Sequence, residues 1–145
     1  MSVLSVAILL FLVIETLNVI TLYFWPGSQR SNGVGIFNAW EKSKSDPELH
    51  EFVKYLVFWV AGTKLIFVAL LLVILLTTGE TTKLFTVVAL IASILSFFWR
   101  LFPIVKSLDR DGHITPAGYS KTLGYMITGF IGIFVIALLW SLIAQ

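Results

Sequence analysis

The sequence predicts an all-α fold, an integral membrane four-helix bundle running up and down with both termini on the extracytoplasmic side. Three observations lead there: an apolar composition poor in charge, four apolar runs of spanning length, and a one-sided distribution of Lys and Arg. Of the 145 residues, 58% are hydrophobic and 12% charged, against roughly 45–50% and 25% in soluble domains. Mean hydropathy is +0.95, so residues 1–145 read as one transmembrane domain. The chain has no cysteine, which excludes disulfide and thiolate chemistry. A formal net charge of +2 with no Lys/Arg-rich run leaves no footprint for nucleic acid.

The four runs cover residues 3–24, 55–76, 84–102 and 122–143, each about 20 residues as a helical span requires. The first carries Glu15 and Asn18 and has no basic lead segment, so it reads as a retained helix rather than a signal peptide. Loops 25–54 and 103–121 hold Arg30, Lys42, Lys44 and Lys54, and Lys106, Arg110 and Lys121, with Arg100 at their boundary; the opposite side holds Lys83. Eight against one assigns both long loops to the cytoplasm, and the expected location is a plasma or cytoplasmic membrane.

Local signals set the helix ends. In "SDPEL", Ser45 or Asp46 caps the second span's helix and Pro47 occupies its first turn. In "ITPAGY", Thr115 is expected as cap with Pro116 at the first helical position. Pro103 is expected to weaken or end the third helix. Trp25, Trp40, Trp59, Trp99 and Tyr119 form an expected aromatic belt at one boundary and Trp140 marks the other. "GVGIFNAWEKS" reads as a short surface helix dipping Ile36, Phe37 and Trp40 into lipid.

Lys64 lies amid the apolar run "WVAGTKLIFVALLLVILL". A cation at that depth costs roughly 2.5–3.5 kcal/mol on insertion scales, so it needs a partner inside the protein. Glu15 is the candidate. It lies nine residues before the loop end of its span, and Lys64 lies nine after the loop end of its own. Both are thus about 14 Å deep. Asn18 shares a face with Glu15 and is expected to donate to it. Ser93, Ser96 and Arg100 form one stripe of the third helix, and Tyr125 and Thr128 lie at comparable depth on the fourth. These residues are the expected intramembrane polar cluster, with Arg100 expected to snorkel to the interface. Gly124, Thr128 and Gly132 repeat every four residues, the small-residue spacing of close helix packing.

Other motifs dissolve on inspection. "LDRDGHIT" aligns Asp109, Asp111 and Gly112 with part of a calcium loop, but Ser107 and Gly118 stand where the first Asp and terminal Glu belong. Asp-Gly is a turn signal there. His50 and His113 lack metal-ligand spacing, "GVG" lacks a phosphate-loop context, and no nucleophilic triad emerges. No metal and no cofactor is expected. "VIETLNV" around Glu15 resembles the first helix of the small multidrug resistance transporters over that stretch alone. The long first loop, the charge bias and Lys64 depart from that family, and membership is not assigned.

The leading functional expectation is a structural, accessory or interaction subunit, not an enzyme, whose partners are the lipid bilayer and another membrane protein or a second copy as homo-oligomer. One alternative is a proton- or ion-coupled transporter or channel using the Glu15–Lys64 pair. The other is a membrane enzyme acting on lipid at the cytoplasmic face, with Arg100, Arg110 or Lys106 holding a phosphate.

Overall fold

The computed structural model describes residues 1–30 and 33–144. It is all-helical: α1 (Val3–Phe24), a 3-10 turn (Val34–Ile36), α2 (Asn38–Ser43), α3 (Pro47–Thr77), α4 (Glu80–Leu95), α5 (Phe97–Arg110) and α6 (Tyr119–Ile143). Among the described residues, four segments are long and apolar enough to cross a membrane: α1, α3, α4 with α5, and α6.

α1 is the centre of the packing. Its most apolar window is 44% buried, against 17%, 11% and 11% for the other three. Leu4, Ala7, Ile8, Phe11 and Leu12 meet Val68 and Leu71 of α3, Val87 and Leu90 of α4, and Phe134 and Ala137 of α6. Phe11 joins three helices, its ring edge-on to Phe67, Phe130 and Phe134 at centroid distances of 6.1, 5.4 and 5.3 Å. Along α1 and α3 the partners run in opposite order. Phe11 meets Phe67, Glu15 meets Lys64, and Tyr23 stacks on Phe58.

Asp46 caps α3, accepting from the Glu48 and Leu49 amides, with Pro47 in the first turn. This matches the sequence reading, because a carboxylate there satisfies amides that have no helical partner. The third span departs from expectation. Its helix breaks at Ser96, not Pro103, and Pro103 lies inside α5, which runs on to Arg110. The break has a local cause. Ser96 Oγ donates to the Ser93 carbonyl at 2.6 Å, and the Trp99 amide bonds to Ser96 O in a tighter three-residue turn. Serine back-bonding of this kind bends helices.

The start of α6 is also corrected. Thr115 and Pro116 precede the helix, whose cap position is Gly118 at φ +85°. The capping oxygens come from Asp109, which accepts from the Gly118 amide and from the Ser120 amide and hydroxyl. The Thr115 hydroxyl instead donates to Asn38 Oδ1 at 3.0 Å.

The two long loops form a cap that the sequence did not reveal. Phe37 and Ile114 make an antiparallel bridge, the Asn38 side-chain amide donates to Gly112 O, and the Asn38 main-chain amide to His113 O. Beneath this seam Ile36, Val105, Ile114 and Leu123 are buried together. Ile36 and Trp40 are 3% and 6% exposed, so they pack into the protein rather than dipping into lipid. Trp40 accordingly leaves the aromatic belt. Gly27, Gly33 and Gly35 let this loop fold on itself. A side chain at Gly35 would overlap the Gly27 carbonyl oxygen, and one at Gly33 that of Ser28.

Candidate functional site

The Lys64 ammonium donates to Glu15 Oε2 at 2.6 Å, tying α3 to α1. Both side chains are mostly covered, at 28% and 16% exposure. Glu15 lies one helical turn beyond Phe11, so the pair sits just past the aromatic knot that joins α1, α3 and α6. Thr16 and Thr63 beside it return their hydroxyls to Leu12 O and Trp59 O in their own helices. Asn18 is buried one turn toward the loops. The carboxylate's hydrogen-bond partner is the Lys64 ammonium, however, not the Asn18 amide that the sequence suggested.

The remaining residues of the expected cluster do not join the pair. Ser93, Ser96, Arg100, Tyr125 and Thr128 are all on exposed surface. Ser96 bonds to its own helix, and the Arg100 guanidinium lies 5.1 Å over the Trp99 ring, which is the geometry of a cation–π contact near the boundary. In the small-residue row, Gly124 makes a close approach, with the Phe102 ring 3.1 Å from where a Cβ would stand. Gly132, by contrast, has open space there, and so does Gly129.

A cavity of about 400 Å³ between α1 and α6 reaches Glu15 and Asn18 from Gln29 and Arg30, with Tyr119 and Phe130 in its walls. A second recess of about 620 Å³ lies where α5 and α6 leave the apolar region. Pro103, Lys106, Asp109, Arg110, Ser120 and Lys121 line it. Helix α5 carries its cations there because Val105 and Leu108 turn toward the cap core.

Asp109 stands beyond the apolar stretch of its helix. The Ser120 hydroxyl, then the Ser120 and Gly118 amides, hold its carboxyl below the usual aspartate range. Asp111 is similarly lowered, first by its bond from Arg110 and then by that from Ser107. Neither acid is arranged as a calcium ligand, and no cluster of three metal-ligating side chains occurs among the described residues.

One contact escaped the sequence reading. Ser43 Oγ lies 2.8 Å from His50 Nδ1, with the His50 ring 4.9 Å from that of Trp40. The Ser43 hydroxyl also donates to Trp40 O, and Ser43 is 1% exposed. Its single proton is therefore committed and its oxygen out of reach of a substrate, so the contact ties α2 to α3 and supplies no nucleophile. The signal was the seven-residue spacing across a helix cap, which no catalytic pattern uses. Comparison with protein-family models, curated proteins and solved structures finds no match for this chain.

Proposed function

We propose that this is a small multi-pass membrane protein acting as a structural or accessory subunit, with the Glu15–Lys64 pair as an internal bolt. The observation that carries the reading is the closed 2.6 Å contact together with the outward position of Ser93, Ser96, Tyr125 and Thr128. A carrier needs a polar path leading on from its charged site; here Ser93, Ser96, Tyr125 and Thr128 turn away from that site, while Asn18 and the loop-side cavity adjoin it. Outward polar and small groups in lipid instead favour helix association, and the open strip at Gly129 and Gly132 is a surface for another membrane protein or a second copy.

The threading in this proposal is up and down, with the long loops cytoplasmic and the termini outside, in a plasma or cytoplasmic membrane. The eight-to-one Lys/Arg bias supports the sidedness. The shared recess of Met1, Ser2, Glu80 and Trp140 and the loop seam at Phe37 and Ile114 support the gathering of opposite ends.

Because the chain lacks cysteine, Gly132→Cys gives a clean probe. Mild oxidation in native membranes yields a cross-linked species at Gly132→Cys and none at the buried Ala61→Cys. Reconstituted vesicles show no substrate-dependent proton flux; a flux that vanishes in Glu15→Gln overturns the reading.

A second reading rests on the 400 Å³ cavity that reaches Glu15 from the loop side. In it, protonation of Glu15 releases Lys64 and couples to transport. It requires a pH-dependent conformational change that Lys64→Met abolishes, and it fails if Glu15→Leu/Lys64→Leu folds and behaves as wild type.

A further inference from the structure

We infer that the loop-side ends of α5 and α6 form a binding site for an anionic phospholipid, with the phosphate at Lys106 and Lys121 and one acyl chain in the α5–α6 groove. Four observations converge on it.

First, Lys106 and Lys121 come from different helices yet line the same 620 Å³ recess. Neither is among the ion pairs of the described residues, whereas Lys44, Lys54, Lys64 and Lys83 all are. Second, neither ammonium is bonded to the carboxylate in the recess, although the charge of Asp109 acts on Lys121 through space. Asp109 spends its oxygens on Gly118 and Ser120, and Asp111 takes its contact from Arg110. Those same bonds occupy the first amides of α6, so the helix end is not the ligand's donor; the ammonium groups are.

Third, the depth is that of a headgroup. The apolar run of the third span ends at Phe102 and that of the fourth begins at Thr122, so Lys121 stands at the boundary and Lys106 one turn beyond it. Basic pockets between spans at this level are suited to phosphate headgroups. Fourth, the recess does not end there. Lys121 also lines a groove of about 250 Å³ with Phe98, Phe102, Gly124, Tyr125 and Thr128. That groove runs into the apolar layer, and Gly124 keeps its floor low against Phe102. A soluble phosphate would use only the recess; a phospholipid uses both.

Native mass spectrometry of the full chain in mild detergent tests this, with equimolar phosphatidylglycerol and phosphatidylcholine. The wild type retains phosphatidylglycerol about tenfold over phosphatidylcholine. Lys106→Gln/Lys121→Gln falls to about parity, Lys106→Arg/Lys121→Arg keeps the preference, and Lys42→Gln, a loop cation outside the recess, leaves it unchanged. Thr128→Trp, which fills the groove, lowers retention of both lipids. Should the Gln double variant fail to fold, wild-type thermal unfolding decides: phosphatidylglycerol raises the midpoint and millimolar inorganic phosphate does not. The proposal is overturned by equal retention of the two lipids in wild type, or by a preference that survives Lys106→Gln/Lys121→Gln. It is also overturned by an equal loss in Lys42→Gln, which marks diffuse surface charge. Stabilisation by inorganic phosphate with no effect of Thr128→Trp assigns the recess to a soluble phosphate and overturns the lipid.

Discussion

Replacing Lys64 by Leu removes the partner of a carboxylate that is 16% exposed. At 2.6 Å the direct attraction is about 6 kcal/mol for an effective dielectric constant of roughly 20. Taking each ion from water costs several kcal/mol, so the intact pair contributes little net stability. Its removal by halves is a different matter. A lone buried charge is left behind, and the expected loss is about 3 kcal/mol, at the low end for such sites because both side chains retain some exposure. Glu15→Leu strands Lys64 and costs about the same, whereas Glu15→Leu/Lys64→Leu lies within about 1 kcal/mol of wild type or above it. The assay is a double-mutant cycle by SDS titration in detergent micelles, followed by tryptophan fluorescence. The reasoning fails if the double variant loses the sum of the two single losses to within about 0.5 kcal/mol, because the two residues would then not be coupled.

Phe11→Ala removes the ring shared by Phe67, Phe130 and Phe134 and costs about 3 kcal/mol in the same titration. Asp109 has a folded-state pKa below its ordinary 3.8. Its contribution is therefore present above the unfolded value and lost as pH falls through the folded one. Asp109→Asn lowers the thermal midpoint at neutral pH and flattens the decline of stability below about pH 4; an unchanged acid limb refutes the capping role. Gly35→Ala forces the first loop apart at Gly27, and limited proteolysis detects faster cleavage between residues 25 and 37 with the membrane helices still protected.

The bounds of α1 and the start of α3 at Asp46–Pro47 were legible because each rests on local chemistry: an unbroken apolar run, and a carboxylate before a proline. Glu15 and Lys64 stand out because the remaining ionisable groups lie toward the span ends, and equal distance from the loops is the whole of the signal for their contact. Periodicity put Ser93, Ser96 and Arg100 on one face. It could not say which way that face turned, since lipid and protein interior are equally apolar. Pro103 drew the helix end to itself, while the break followed a hydroxyl bonding back one turn at Ser96. The cap of α6 comes from Asp109, nine residues before Gly118, across a turn whose path is set by the loop seam. Asn38 and Thr115 are far apart in sequence, and no local pattern announces their meeting.

The break at Ser96 gives the third span a property the fourth lacks. Helix α6 enters both apolar clusters as one rod, through Leu123 in the loop-side cluster and through Phe134 and Ala137 in the other. The third span enters them as two rods, Val87 and Leu90 on one and Val105 on the other. The two halves of the third span therefore contribute to different clusters on either side of the Ser96 turn, whereas α6 ties both clusters to one continuous helix.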